Sequence, residues 1–316
     1  MRKVISGCRK KQITTLLILS FILINGFIGY AQTWVHIYER TSNTWFYDFA
    51  ETYDNGYILV CEAEPIQALP QFNSWLIKTD VNGNPLWTKS IASPEYFINL
   101  LGIDETTDGG IILTGATSRL DSLGGDDIVF IKLNACGEKV WCHIVSTPGN
   151  MDYGIKIKTI EGGYIALIGY YLDMSKRIWL FRLDNNGNII WDKLINETTS
   201  NLQDADGRYL FIDNNNDYII TGDIYDSIKP NLFALRPLII KTDSLGNDLW
   251  TVPWGHNLDF RGGLANATAE NQNGFLYTAA NHFRRDTVPL GDSPCFLKTS
   301  PSGQEMYYRD LIPDSK

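Results

Sequence analysis

The sequence predicts an all-β fold, a β-propeller of about five four-stranded blades, and three observations carry that prediction. Trp34, Trp87, Trp141, Trp191 and Trp250 are spaced 53, 54, 50 and 59 residues apart, and Tyr307 follows after another 57. A second marker runs in step with the first: Tyr57, Ile111, Tyr164, Tyr218 and Phe275, separated by 54, 53, 54 and 57 residues. Between the markers lie short apolar runs bounded by turn residues, with no sustained 3.6-residue period. A unit of about 54 residues cannot bury both faces of its own sheet, so the units stack face to face around an axis.

The first thirty-one residues stand apart from the repeat. Arg2, Lys3, Arg9, Lys10 and Lys11 precede a nearly unbroken apolar run from Ile13 to Ile28, and small residues lead up to Ala31. This is the pattern of a secretory signal peptide over 1–31, leaving one propeller domain over 32–316. The apolar run is short for a bilayer span, so the processed chain is expected to be exported and not membrane-spanning. Its destination is the periplasm, the cell surface or the extracellular space.

The segment carries five of the 27 basic residues and none of the 36 acids, so the remaining chain has a net charge of −14. That charge repels phosphate backbones and argues against a nucleic-acid partner. At 44% hydrophobic and 20% charged residues, the composition excludes disorder and coiled coil.

Within each unit the strands can be labelled a to d. Strand a is the least marked. Asn99, Asp152 and Asp206 lie twelve residues before the markers Ile111, Tyr164 and Tyr218, and Asp48 and Asp259 fall in comparable regions. They are the candidate ligand-binding residues of the central funnel, and Asp152 and Asp206 are the candidate catalytic pair.

Strand b follows a turn such as Asp54-Asn55-Gly56 or Asp108-Gly109-Gly110, residues that tolerate positive φ, and continues as a buried apolar run. Strand c ends in a base followed two residues later by a short polar side chain, as in Lys78-Thr79-Asp80 and Arg182-Leu183-Asp184. The polar residue is expected to cap the c–d turn through its N–H groups. Strand d then carries the Trp, which suits the interface between blades.

The segment around Trp34 reads as a strand d, so five complete blades leave one strand over. Either a five-bladed ring carries an extra edge strand, or the chain is an incomplete larger propeller. In a closed ring, blades 1 and 5 would bring Cys61 and Cys295 together. Cys136 and Cys142 would flank a hairpin tip and are the expected disulfide pair.

The units resemble exported bacterial β-propeller repeat proteins that read DGGYI, an apolar run and Gly, then IKLD, a GN turn and Trp; the closest copies are Thr107 to Gly115 and Asp184 to Trp191. Such proteins often carry a type IX secretion sorting domain. The resemblance covers residues 32–311, implies the fold, and leaves activity unassigned.

Sialidase-like Asp boxes are not matched, because Asp80 to Trp87 and Asp184 to Trp191 are seven residues apart where the box has five. His36, His143, His256 and His282 lack ligand spacing, so no metal is expected. Asp213 to Asp217 is oxygen-rich, yet Tyr218 occupies the position of a calcium loop's glycine, which makes it a plain turn. No cofactor fingerprint is present.

The function expected is therefore a non-catalytic binding or interaction module for a glycan or protein ligand, with residues 62–73, 116–127 and 223–236 as variable loops. The alternative is a glycoside hydrolase using the funnel carboxylates.

Overall fold

The computed structural model describes residues 35–38, 44–63, 73–119, 125–147, 151–172, 175–195, 204–229, 232–255, 262–284 and 291–311. The expected signal peptide, Trp34 and Asp259 lie outside these residues. Residues 35–38 belong to a separate N-terminal unit, in which the rings of His36 and Tyr38 stack 6.2 Å apart.

Among the described residues, twenty strands form five antiparallel sheets of four, each in sequence order. Blade 1 holds β1 (Thr44–Glu51), β2 (Tyr57–Ala63), β3 (Asn73–Thr79) and β4 (Pro85–Ile91). Blade 2 holds β5 (Tyr96–Glu105), β6 (Ile111–Arg119), β7 (Asp127–Leu133) and β8 (Lys139–Val145). Blade 3 holds β9 (Tyr153–Ile160), β10 (Gly163–Leu172), β11 (Ser175–Leu183) and β12 (Ile189–Leu194). Blade 4 holds β13 (Ala205–Ile212), β14 (Tyr218–Lys229), β15 (Leu232–Thr242) and β16 (Asp248–Pro253). Blade 5 holds β17 (Gly263–Glu270), β18 (Leu276–Arg284), β19 (Gly291–Thr299) and β20 (Glu305–Asp310). Much of 223–236, expected as loop, instead prolongs β14 and β15. Among the described residues, no helix is long and apolar enough to cross a membrane.

The repeated turn residues do what their chemistry suggests. Asp80 accepts from the N–H groups of Asn82 and Asn84, both at 2.8 Å, and Asp184 repeats this with Asn186 and Asn188. The Asp184 carboxyl is held below its usual range first by its bond from the Asn188 side chain. The strand c base folds back over the a–b turn: Lys78 reaches Asp54 at 2.9 Å, and Lys241 reaches Asp213 at 2.6 Å and Asp217 at 3.0 Å.

In blade 5 the marker is Leu276, not Phe275. Leu276 pairs with Glu270 as Tyr57 pairs with Glu51, because the positive-φ turn position is Gly274, one residue later than the sequence pattern suggests. Phe275 then takes the place of Gly56 and helps hold Lys298, whose Nζ lies 4.5 Å from its ring centroid and 5.3 Å from that of Tyr277.

Period two gives every blade one face toward its successor and one toward its predecessor. Ile58, Val60 and Leu76 of blade 1 meet Leu113, Ile131 and Leu133 of blade 2, and Ile112 and Phe130 of blade 2 meet Tyr164 and Phe181 of blade 3. Ile165, Leu167 and Leu180 of blade 3 meet Ile220 and Leu238 of blade 4, and Ile219 and Ile239 of blade 4 meet Leu276 and Leu297 of blade 5.

Trp87, Trp141, Trp191 and Trp250 each sit on the glycine of the next blade's c–d turn. A Cβ added to Gly187 would lie 2.8 Å from the Trp141 ring, and one added to Gly303 would lie 2.8 Å from Trp250. With φ of +81° and +82°, these turns need glycine for conformation as well as space.

The innermost strands pack in succession, β1 on β5, β5 on β9, β9 on β13 and β13 on β17; no comparable packing joins β17 to β1 among the described residues. Phe49 of β1 is 53% exposed, whereas Ile103, Ile157 and Leu210 at the matching positions are fully buried. On the opposite side of this seam Phe296 is 44% exposed, while its counterparts Leu76, Phe130, Leu180 and Ile239 are buried. Cys61 and Cys295 are both buried and are not joined in a disulfide.

Candidate functional site

Strand a runs from the side of the d–a and b–c connections, the loop side, toward the side of the a–b and c–d turns, the turn side. The first residues of the five a strands therefore rim the loop-side funnel, and the later ones line the centre. Every a strand carries a β-bulge, between Leu100 and Gly102 in blade 2 and between Phe46 and Asp48 in blade 1. The bulge re-aims the residues that follow it toward the next blade.

At the centre, Asp48 accepts hydrogen bonds from the Ile103 backbone N–H at 3.0 Å and from Lys156 Nζ, so blade 1 is tied to blade 3 past blade 2. Gly102 makes the crossing possible, since a Cβ there would lie 2.8 Å from Lys156 Cα. Lys158 pairs with Asp104 at 3.0 Å, and the second Asp104 oxygen accepts from Thr159 N–H at 2.7 Å. The Tyr209 ring faces Lys156 Nζ at 5.0 Å. Burial raises the Asp48 carboxyl and lowers Lys156, and in each case the partner's charge opposes the shift.

At the rim, Asp206 accepts from Lys176 Nζ at 2.6 Å, and Arg208 Nε donates to the buried Asp223. Burial raises the Asp223 carboxyl against the pull of Arg208. Tyr153 and Tyr171 pack with ring centroids 6.2 Å apart, and burial, followed by the nearby Asp206 charge, raises the Tyr153 phenol.

Asp152 is different. It is fully buried, its Oδ1 receives only a long 3.4 Å contact from Tyr171 N–H, and its Oδ2 has no partner among the described residues. Burial pushes its carboxyl up to about 6, with the Asp127 charge adding to the shift.

The twelve-residue spacing does not make Asn99, Asp152 and Asp206 equivalent. Asn99 stands opposite Ala116 and Asp206 opposite Asp223, and the residue in that register in blade 3 is Tyr153, opposite Gly169. The blade 3 hairpin is one residue shorter, with Ile160 paired to Gly163, so the count slips by one and Asp152 turns away from the face of the other two. Asn99 lies near Tyr47, whose hydroxyl donates to Glu62, and the Asn99 Oδ1 is buried without a partner among the described residues.

Cys136 and Cys142, the expected disulfide pair, are not bonded to each other in this structure: Cys142 stands opposite Ile131 on the ladder while Cys136 occupies the turn itself. Among the described residues no cluster of His, Cys, Asp or Glu could hold a metal.

Sequence reasoning missed Lys156, Lys158, Lys176 and Arg208, which neutralise the funnel acids. A signal for two of them was present: Lys156 and Lys158 alternate on an otherwise apolar inner strand, an expensive placement unless carboxylates face them.

No family model matches the sequence, and no curated protein matches it. The fold itself has counterparts. A neuraminidase-like protein from A/bat/Guatemala is similar at 12% identity and a TM-score of 0.54, over 89% of this chain and 81% of that one. A protein of unknown function from Bacteroides caccae matches at 12% identity and 0.50, over 88% and 85%. Sucrose-6-phosphate hydrolase from Lactobacillus gasseri matches at 13% and 0.50, over 95% and 67%. At such identities the likeness is one of β-propeller fold alone.

Proposed function

We propose that this chain is an exported, non-catalytic β-propeller that binds a glycan or protein ligand. The observation carrying this reading is that three carboxylates of the funnel and its centre are each occupied by a lysine: Asp48 by Lys156, Asp104 by Lys158 and Asp206 by Lys176. A hydrolase needs one carboxylate free to act on water or sugar and another to deliver a proton at the leaving group. Export rests on the basic and apolar pattern of residues 1–31.

One observation favours the glycoside hydrolase as a second reading. The Asp152 carboxyl, raised to about 6, has the proton affinity of a general acid. Its complete burial opposes that role, because a general acid must come within hydrogen-bond reach of the substrate.

The test is a glycan-array screen of the full chain, read beside a product assay on any glycan retained. Binding without turnover supports the module. Turnover abolished by Asp152→Asn or Asp206→Asn establishes the hydrolase and overturns it.

A further inference from the structure

On the turn side, blades 2 to 4 line a half-open cavity of about 610 Å³ whose polar lining includes Thr107, Glu161, Arg182, Asn216, Tyr218 and Ser244. The repeat is broken twice at this place. The blade 3 a–b hairpin is a residue shorter than its neighbours, and its strand c base is Arg182 where blades 1, 2 and 4 have Lys78, Lys132 and Lys241.

Those lysines are neutralised by carboxylates of their own a–b turns: Asp54, Asp108, and Asp213 with Asp217. The shortened hairpin offers Arg182 only carbonyls. Its Nη1 donates to Leu183 O and, at 3.4 Å, to Tyr164 O, and its Nη2 donates to Glu161 O at 2.7 Å. Gly163, at φ +144°, lets the guanidinium lie flat across the turn, since a Cβ would stand 2.7 Å from Nη1. These contacts fix the guanidinium plane while leaving Nε–H and a second Nη2 hydrogen without a partner among the described residues. No carboxylate pairs with Arg182 among those residues either.

We propose that this cavity binds a small monocarboxylate ligand of the sugar-acid class. A fixed guanidinium matches the two oxygens of a planar carboxylate. Thr107, Asn216 and Ser244 supply hydroxyl and amide groups for the ligand's hydroxyls, and Ile160, Ile212 and the Tyr218 ring supply its apolar wall. Glu161 at the rim disfavours a second negative charge, which separates a carboxylate from phosphate. The volume suits one or two sugar rings. This inference rests on the reading of the chain as a binding module and gives it a place and a ligand chemistry, on the side opposite the funnel.

The experiment is calorimetric titration of the full chain with glucuronate, glucose and inorganic phosphate, repeated on Arg182→Lys. Lysine is what the four other blades carry here, and Lys78 already bonds the matching carbonyl, Thr79 O, at 3.1 Å, so the variant is expected to keep the wild-type melting midpoint. Glucuronate is expected to bind about tenfold or more tightly than either glucose or phosphate, and Arg182→Lys to weaken glucuronate by a similar factor while leaving the glucose signal unchanged. Equal binding of glucose, tighter binding of phosphate, no binding of glucuronate, or an unaffected Arg182→Lys variant would each overturn the site. Undiminished retention of a uronic-acid array glycan by Arg182→Lys would overturn this site while leaving the binding module standing.

Discussion

The interface between blades 3 and 4 and the seam between blades 5 and 1 are built from the same repeat positions and have opposite fates. At the first, Leu180 and Ile165 face Ile220 and Leu238 with no surface left exposed. At the second, Phe296 and Tyr277, which hold the same places in blade 5, are partly open to solvent, as is Phe49 on the facing sheet. An apolar position in a repeat thus states only that a neighbour is needed; whether it is met depends on where the unit falls in the ring. The backbone latch follows the same division. Glu105 accepts from Tyr53 N–H of the preceding blade and Glu270 from Asn214 N–H, both at 2.8 Å, while Glu51, at the same register, faces the seam and is exposed.

The largest effect is expected where three blades are joined. Lys156→Ala strips the buried Asp48 of its counter-charge and should cost about 3–5 kcal/mol in urea unfolding; a loss under about 1 kcal/mol would mean that the central ion pair does not hold the blades. Replacing both partners, Asp48→Asn with Lys156→Met, should recover most of that loss.

Next comes the direct comparison of interfaces. Leu180→Ala should destabilise by about 2–5 kcal/mol and Phe296→Ala, at the matching seam position, by less than about 1 kcal/mol. Equal costs would show that the seam is closed in solution.

The latch sharpens the contrast at smaller scale. Glu105→Ala should lose about 1 kcal/mol, and Glu51→Ala should stay within about 0.5 kcal/mol.

An effect of the same order as the Glu105 latch concerns Asp152, at the filled junction of blades 2 and 3. Its folded carboxyl, near 6, lies above the ordinary 3.8, so the folded state binds the proton more tightly and stability falls as pH rises from about 4 through 6. Asp152→Asn should then be more stable than wild type above pH 6, by on the order of 1 kcal/mol after allowance for solvent screening, and equal to it below pH 4. An unchanged difference between pH 4 and pH 7, followed by thermal melts, would show that Asp152 is not desolvated.

Much of the fold was legible because its signals are local. Turn glycines, the Asp80 and Asp184 caps and the spacing of Trp87 to Trp250 each follow from one residue's backbone or side-chain preference. The candidate site was less legible, because counting residues assumes that every hairpin is the same length. One missing residue between Ile160 and Gly163 turned Asp152 away from the face of Asn99 and Asp206, and the same shortening left Arg182 without a carboxylate. The shift of the blade 5 marker to Leu276 was hidden for a different reason: that hairpin has the usual length, but its glycine, Gly274, stands where blade 1 has Asn55.

The sequence by itself determined the four-stranded unit, its repetition and the faces each strand would bury, since these depend on alternation and turn chemistry within some fifty residues. Only the tertiary structure decided which charges meet. Asp48 and Lys156 are 108 residues apart, and their pairing depends on bulges, on Gly102 and on the order of blades around the axis. It also decided that the faces of blades 1 and 5 stay exposed, because burial belongs to the arrangement of neighbours and not to the residue.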